Sequence, residues 1–369
     1  MKRLHFGGLD EIRALAALLV LVSHVELYKA RDKLPSLFDS SLNYFVKSSG
    51  KNGVYIFFCL SGFLITSLLY KEYEHAGTVS IKNFLIRRLL RIWPLYYFVM
   101  ILSFFVLPPL INSFFEIQGN GRYYHLVNTI HDSWTEKLIY YFSFLSNLAL
   151  KQNHVVAFAS QSWSVSAEEQ FYLIWPFLLV SLRYKFFISS ILLMIFSYFL
   201  KDIAAIFSGN SLFRSFVTCL DFTYISIGCL AGAIFTKFRS RVEGLLNIPV
   251  TKLILFILAF YCLFNDVSKY IKGIIFITAI IANIPESRLN LRSKMLSYFG
   301  KMSYGIYMYH SIVVFSVFHF IGYDVLKWPF GNLYLYALII GITVMLSAIS
   351  YQFLELPFLR LKHRFGSMS

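Results

Sequence analysis

Charged residues are scarce in this sequence, and acidic residues are scarcer than basic ones. Only 14% of the 369 residues are charged, whereas about a quarter of the residues in a soluble domain are charged. The chain is 57% hydrophobic, and apolar runs long enough to cross a bilayer recur from end to end. The composition therefore excludes an ordinary soluble protein and predicts an all-α integral membrane protein.

The sequence also lacks a basic domain outside its apolar segments, although its formal net charge is +15. Lysine and arginine occur in the short loops between those segments, where such residues set the orientation of a membrane protein. We therefore expect no nucleic-acid partner.

Cysteines are few, and their spacing is typical of neither a metal site nor a thioredoxin-like site. All four lie in or beside apolar segments, as small core residues do: Cys59, Cys219, Cys229 and Cys262. The cysteines therefore do not allow the redox compartment of the protein to be inferred. No bound metal is expected.

Ten transmembrane helices in one bundle are predicted, with the roughly 20-residue length of a span as the ruler. The segment Leu138–Leu150 is short and contains polar residues, so an interfacial and a re-entrant position both stay open. Residues 1–369 are expected to form a single membrane domain. The predicted helices lie at about 12–28, 53–70, 92–111, 170–183, 186–201, 214–236, 250–265, 270–285, 302–321 and 332–355.

The distribution of Lys and Arg predicts that both termini face the cytoplasm. With that orientation the inner segments carry 21 of these residues and the outer segments 13. The first segment, Met1–Val22, has basic residues before an apolar core, as a signal peptide does. No small-x-small cleavage site follows it, so we expect it to be retained as the first span.

Ionisable side chains inside predicted spans are costly, so each is a candidate functional residue. Arg13 and His24 are eleven residues apart, which is about three helical turns and roughly 16 Å, so they lie on nearly the same face. Asp10 shares this face, three residues before Arg13. The alternatives are a topology anchor for Arg13 and a packing role for His24.

Two arginines open the third predicted helix, in the stretch IRRLLRIWPLYY. Arg88 and Arg91 are spaced i,i+3 on one face, and arginine offers a planar fork of donors that suits phosphate or carboxylate. A positive-inside anchor is the alternative. Trp93 and Pro94 follow directly, which places the arginines beside an expected kink.

The stretch SWSVSAEEQFYLIWP places Glu168 and Glu169 at the mouth of an apolar run. Ser166 precedes them as an N-cap residue precedes a helix, where hydroxyls and carboxylates meet free N–H groups. Neighbours on a helix point about 100° apart. We therefore expect one carboxylate at the helix start and the other inside the bundle.

The stretch SYGIYMYH places Ser303, Tyr307 and His310 at i, i+4 and i+7 on one helical face. Such a stripe predicts either a lined cavity or hydrogen-bonded packing between helices. Glu355, just before Pro357, is expected to pair with a cytoplasmic arginine, and Asp221 is a similar case.

Taken together, these motifs resemble the membrane acyltransferase-3 family over essentially the whole chain. The resemblance rests on LDEIRALAALLVLVSH, RRLLR, SWSVSAEEQFYLIWP, SYGIYMYH and YQFLELPF, in that order. Members of this family are inner-membrane proteins that move acyl groups, most often acetyl from acetyl-CoA, onto carbohydrates displayed outside the cytoplasm. The resemblance implies a bacterial inner-membrane, multi-pass O-acyltransferase. Its co-substrate would be acetyl-CoA or another acyl-CoA, and its acceptor a lipid-linked or surface glycan such as O-antigen.

The resemblance also implies roles for particular residues. The catalytic residues would be His24, as general base or transient acyl carrier, and Glu169 or Glu168. Ser166 and Glu169 keep the family's S-x-x-E spacing, so Glu169 is preferred as the carboxylate that would orient or charge-stabilise His24. The acyl donor would bind three arginines, namely Arg13, Arg88 and Arg91. The further candidates are Asp10, Ser166, Tyr307 and His310.

Some members of the family carry an SGNH-type esterase domain after the helices, and this sequence shows none. Direct transfer to the acceptor, or reliance on a separate protein, is therefore expected. The outer stretch Arg122–Trp134 is a candidate acceptor surface, with an ordinary interfacial loop as the alternative.

A transporter or flippase of lipid-linked sugars is the alternative function. It predicts two related halves that contain broken helices, whereas the charged motifs of this chain cluster in its first half. A sensor or structural membrane protein is a third option, which leaves the stripe of Arg13 and His24 unexplained.

Overall fold

The computed structural model describes residues 6–31, 33–118, 129–207, 209–285, 289–321, 326 and 328–365. Over these ranges the chain is helical and contains no strand. The helices of the first half are α1 (Leu9–Arg31), α2 (Asn43–Ala76), α3 (Ile81–Ile101), α4 (Leu107–Gln118), α5 (Trp134–Phe142), α6 (Ser146–Lys151), α7 (Trp163–Ser181) and α8 (Phe186–Ile206).

The second half continues with the same architecture up to a short final helix. Its helices are α9 (Ser211–Cys219), α10 (Thr223–Lys237), α11 (Arg239–Leu246), α12 (Pro249–Phe264), α13 (Lys269–Ala282), α14 (Lys294–Lys301), α15 (Ser303–Ile321), α16 (Gly331–Ser350) and α17 (Leu356–Leu361). One π-helical turn, Leu102–Val106, joins α3 to α4, and another, Tyr351–Glu355, joins α16 to α17.

All ten predicted segments coincide with helix over most of their length, but two details differ. The predicted helix 214–236 is interrupted at Leu220–Phe222, which separates α9 from α10. The ambiguous segment Leu138–Leu150 forms parts of two short helices, α5 and α6. Periodicity and apolar length therefore predicted the positions of the long apolar helices, but neither their breaks nor the short helices α11, α14 and α17.

Four helical stretches among the described residues are long and apolar enough to cross a membrane. A bent pair, α11 and α12, meets at 80° and would make a fifth if it counts as one span. These apolar helices fit a membrane protein, while the number of ten spans and the cytoplasmic position of both termini stay predictions. The four stretches are Asn43–Ala76, Ile81–Ser113, Ser211–Lys237 and Gly331–Leu361.

Glycines bring α2 and α10 into backbone contact. A Cβ atom on Gly62 would lie 2.1 Å from the carbonyl oxygen of Ile225, and one on Gly228 would lie 2.3 Å from that of Cys59. Gly232 follows four residues after Gly228, so α10 carries the small-residue spacing that lets membrane helices approach closely. This contact fixes α2, whose middle turns form one wall of the candidate site.

Helix α1 is packed among α2, α14 and α15. Its first turn is in such close contact with α14 that a Cβ atom on Gly300 would lie 1.9 Å from the carbonyl oxygen of Asp10. The loop before α1 is held by Asn283, whose amide donates to the carbonyl oxygen of Gly8 at 2.9 Å. This packing directs the predicted stripe of Arg13 and His24 toward the interior.

The last described residues fold back onto α3. The 3₁₀ turn Lys362–Phe365 packs against α3, and Arg87 donates to the carbonyl oxygen of Phe365 at 2.8 Å. The same guanidinium forms an ion pair with Glu72 at 3.0 Å. The turn Lys362–Phe365 therefore lies beside the two arginines that follow in the motif RRLLR.

Candidate active site

A cavity of about 100 Å³ lies where α1, α2, α3, α7 and α15 meet. Its charged lining consists of Arg13, Arg88 and Arg91 with Glu168. Hydroxyl groups complete the polar lining, from Ser61, Ser164, Tyr172, Ser303, Tyr304 and Tyr307. Five of these residues, the four charged ones and Tyr307, are among the site residues predicted from sequence.

The arginines of the cavity differ in their partners. Arg13 is paired with Asp10, with 2.9 Å between Nη1 and Oδ1. Arg88 is only 8% exposed, its Nε has no hydrogen-bond partner among the described residues, and its guanidinium lies 5.8 Å from the ring of Tyr172. Within the same ranges, no carboxylate lies at ion-pair distance from Arg88 or Arg91. Guanidinium groups that have no carboxylate at ion-pair distance can bind an anion.

Glu168 lines the cavity and is held in place by a short chain of hydrogen bonds. Tyr172, one turn farther along α7, donates to Oε2 of Glu168 at 2.7 Å. Since the hydroxyl of Tyr172 has a single proton, Ser61 must donate to it across their 2.7 Å contact. The carboxylate is therefore positioned by α2 as well as by its own helix.

Glu169 lies in a different environment. Its Oε2 accepts a hydrogen bond from the indole Nε1 of Trp93 at 3.3 Å. Its Oε1 is buried and has no partner among the described residues, and Glu169 is not part of the cavity lining. The geometry therefore favours Glu168 as the carboxylate of the cavity, against the preference for Glu169 from sequence spacing.

The predicted helix cap at Ser166 is wrong. Helix α7 begins at Trp163, because the 3₁₀ turn Ser160–Ser162 leads directly into it. Ser166 lies inside the helix, and its hydroxyl contacts that of Ser146 at 2.7 Å. Neither glutamate lies in the first turn of α7, so the expected division between a capping carboxylate and a site carboxylate does not occur.

The imidazoles of His24 and His310 are in contact. Their ring centroids lie 4.7 Å apart at an interplanar angle of 68°. Nδ1 of His24 lies 2.9 Å from the carbonyl oxygen of Val20. No carboxylate is a hydrogen-bond partner of His24 in the described part of the chain, and the role of Glu169 toward this ring stays a prediction. Neither ring belongs to the lining of the cavity.

Tyr307 connects the cavity to this histidine pair. It precedes His310 by about one turn of α15, and the two rings lie 5.7 Å apart. Its hydroxyl donates to the carbonyl oxygen of Gln161 at 2.7 Å and therefore accepts from Ser164, also at 2.7 Å. The stripe predicted in SYGIYMYH thus begins at Ser303, which lines the cavity, and ends at His310, which contacts His24.

Several residues of this region were missed from sequence. Tyr172 was detectable, since it stands i,i+4 from Glu168 and a helix brings such pairs together. Lys362 was not detectable, because no motif in the neighbouring sequence marks it as a residue of this region. Its pKa is lowered to about 7 by burial and then by the positive charges of Arg91, Arg88, Arg87 and Arg13.

Three remaining predictions have separate outcomes. Asp221 pairs with Lys269 at 3.0 Å and not with an arginine. Glu355 is 5% exposed, and its Oε1 has no hydrogen-bond partner in the described ranges. Of the candidate acceptor surface Arg122–Trp134, residues 122–128 lie outside those ranges.

The described residues contain no group of three or more His, Cys, Asp or Glu that could hold a metal.

The sequence matches one family model, described as an acyltransferase domain, over residues 6–352. The Staphylococcus aureus (strain COL) protein named "Putative O-acetyltransferase SACOL0978" is 27% identical over an alignment that covers 97% of this chain and 58% of that protein. O-acetyltransferase OatA of Staphylococcus aureus (strain NCTC 8325 / PS 47) is also 27% identical, over 96% of this chain and 57% of its own length. The chain therefore spans less than three fifths of either relative. No solved structure matches it.

Proposed function

The chain belongs to the acyltransferase family whose model matches residues 6–352, and from this premise we propose that it transfers an acyl group from an acyl-CoA to a hydroxyl of a carbohydrate. The relatives named O-acetyltransferase support acetyl as the group and oxygen as its acceptor atom. The acceptor would be a lipid-linked or cell-surface glycan, and the membrane the bacterial inner membrane.

The observation that carries the proposal is the cationic cavity. Arg88 and Arg91 reach it without a carboxylate at ion-pair distance among the described residues. Coenzyme A carries several phosphates, and arginine binds phosphate through paired charge-assisted hydrogen bonds. Arg88 and Arg91 would hold the phosphates, with Arg13 as a third, weaker contact because Asp10 already pairs with it.

The transfer needs a general base or a transient acyl carrier, and we assign this role to His24. Its Nδ1 donates to the carbonyl oxygen of Val20, so Nε2 of the neutral ring carries the lone pair. If His24 is the base, the acceptor hydroxyl gives its proton to this nitrogen and its oxygen attacks the thioester carbonyl. The carbon–sulfur bond breaks, and the thiolate takes up the proton. General base catalysis of this kind contributes about 10² to 10⁴ in rate.

The donor site is tested by the double variant Arg88→Gln/Arg91→Gln. We expect its affinity for acetyl-CoA to fall at least about tenfold, since each charge-assisted contact contributes about 1.5–3 kcal/mol. The measurement is binding of labelled acetyl-CoA to the purified full chain in detergent. Arg239→Gln is the matched control, because Arg239 is half exposed and paired with Glu243 at 2.8 Å. Unchanged affinity in the double variant would refute the donor-site assignment.

Transfer itself is tested in cells with and without the full chain, fed labelled acetate. We expect label in alkali-labile esters of the surface glycan only when the chain is present, and its loss in His24→Gln. A flippase of lipid-linked sugars would instead change the amount of glycan and leave its acetyl content unaltered. Full ester formation in His24→Gln would contradict the role of His24.

A further inference from the structure

Two histidines are in contact here, whereas general base catalysis requires only one imidazole. His24 comes from α1 and His310 from α15, and the two rings touch at a centroid distance of 4.7 Å. His310 is 1% exposed. An imidazole buried against another imidazole forgoes hydration at both rings, and packing alone would be served by an apolar side chain.

Hydrogen bonds to the backbone fix which nitrogen of each ring holds the proton. Nδ1 of His24 lies 2.9 Å from the carbonyl oxygen of Val20, and Nδ1 of His310 lies 2.5 Å from that of Tyr307. A carbonyl oxygen only accepts, so each Nδ1 must be the N–H donor. In the neutral rings both Nε2 atoms then present lone pairs.

Nε2 of His310 is buried and has no hydrogen-bond partner in the described part of the chain. A buried acceptor without a partner costs about 1–3 kcal/mol, so such an atom points to a ligand or a reaction step. The nearby hydroxyl of Tyr307 cannot serve it, because that hydroxyl donates to Gln161.

On the basis of the acyl transfer proposed above, we propose that the two histidines divide the reaction: His24 carries the acyl group, and His310 is the base that activates the acceptor hydroxyl. A single imidazole cannot do both. Nδ1 of His24 is occupied by Val20, so once Nε2 holds the acyl group the ring has no lone pair left. A second base must then lie next to the acylated ring of His24, and His310 is in contact with that ring.

The two half-reactions balance without a further reactant. In the first, Nε2 of His24 attacks the thioester carbon. A carbon–nitrogen bond forms, the carbon–sulfur bond breaks, and coenzyme A leaves as the thiolate, with the positive charge on the acylated ring. In the second, the acceptor hydroxyl gives its proton to Nε2 of His310, and its oxygen attacks the acyl carbon. The carbon–nitrogen bond breaks, its electron pair returns to His24, and His310 passes the proton to the thiolate.

The inference is tested by His310→Gln, which keeps a polar side chain of similar size and removes the base. We expect this variant to release about one equivalent of coenzyme A in a single turnover with acetyl-CoA. It should then accumulate an acetyl group on the peptide that contains His24, detected by mass spectrometry. Ester formation on the glycan should fall by about 10² or more, the range of general base catalysis. His24→Gln should release no coenzyme A and carry no acetyl group.

His319→Gln is the matched control. His319 lies nine residues farther along α15, roughly 13 Å by helical rise, against Phe315 and Phe320. It should behave as the unaltered protein in both half-reactions. A histidine with a merely structural role would slow both half-reactions together, whereas the proposed base slows only the second.

Two results would overturn the inference: glycan acetylation at the unaltered rate in His310→Gln, or loss of acetylation in that variant without acetyl on His24. A measurement on the unaltered protein covers the case in which the variant does not fold. Without acceptor it should release about one equivalent of coenzyme A in a burst and hold acetyl on His24, and absence of both would equally refute the division. If the unaltered protein forms acetyl-His24 but never esterifies a glycan, the carbohydrate acceptor is wrong while the histidine pair stands.

Discussion

At the scale of single residues, the two adjacent glutamates of α7 point in different directions, one toward the cavity and the other toward a packed tryptophan. Neighbours on a helix point about 100° apart, so only one of them faces the cavity. Glu168 does so and is held by Tyr172 at 2.7 Å, whereas Glu169 is turned toward Trp93. Sequence spacing favoured Glu169, because a motif gives the interval between residues and not the direction in which each side chain points.

Glu168→Gln and Glu169→Gln should therefore have unequal effects on acetyl transfer. We expect Glu168→Gln to lower kcat by about tenfold or more, since the carboxylate faces the cavity of the proposed donor site and an amide carries no charge. The KM for acetyl-CoA should not rise, because loss of a negative charge beside Arg88 and Arg91 does not weaken the binding of an anion. Steady-state kinetics of both variants measure the two quantities. A larger fall in kcat for Glu169→Gln would restore the assignment made from sequence.

The sequence predicted which residues share a helical face, and it could not predict which faces meet. Helical periodicity places Arg13 and His24 in one stripe of α1, and Tyr307 and His310 in one stripe of α15. The contact between His24 and His310 joins residues 286 positions apart, and local spacing holds no information on it. Lys362 was missed for the same reason, since its neighbours in space belong to α1 and α3.

At the scale of helices, the contact between α2 and α10 supports one wall of the cavity. Ser61 and the phenylalanines Phe57 and Phe58 line the cavity from α2, and Gly62 directly follows Ser61. On the other helix, Gly228 and Gly232 leave space for the backbone of α2. Closely packed small residues stabilise membrane helix pairs through van der Waals contact, because no hydrophobic driving force exists between helices in lipid.

Gly228→Ala should therefore destabilise the folded protein. The added Cβ atom would lie 2.3 Å from the carbonyl oxygen of Cys59, and overpacking of this kind typically costs about 1–3 kcal/mol. We expect a lower Tm for the purified chain in detergent, together with weaker binding of acetyl-CoA because α2 shifts. Gly341→Ala is the matched control, since a Cβ atom at that position would meet no atom of another described helix within 4 Å. Equal Tm values for the two variants would show that the close approach does not stabilise the bundle.

At the scale of the whole molecule, the first helix and the turn after the last helix both bring basic side chains to α3. Arg13 comes from the first helix, Arg88 and Arg91 from the third, and Lys362 from the segment after the last helix. The orientation predicted from Lys and Arg counts places this cluster on the cytoplasmic side, where acyl-CoA is available. The net charge of +15 is thus partly concentrated at one mouth of the site, which favours the approach of an anionic donor.

Lys362 should make the affinity for the donor depend on pH. Burial and then the neighbouring arginines lower its pKa to about 7, so the ammonium form is lost as pH rises through that value. An anion near Lys362 favours the charged form, and binding should therefore be stronger below pH 7 than above it. A charge contact of a partly buried side chain near the surface contributes about 1 kcal/mol, roughly fivefold in affinity. We expect the Kd of acetyl-CoA to rise by about this factor between pH 6 and pH 8.

Two substitutions at position 362 separate this effect from other titrations. Lys362→Arg stays charged across the range, so its affinity should remain high and lose the step near pH 7. Lys362→Met lacks the charge at every pH, so its affinity should be uniformly low, near that of the unaltered protein at pH 8. If the pH profile of Lys362→Met instead keeps the step, another group titrates, and Lys362 has no part in holding the donor. Its packing against α3 would then serve only to close the bundle around Arg87 and Glu72.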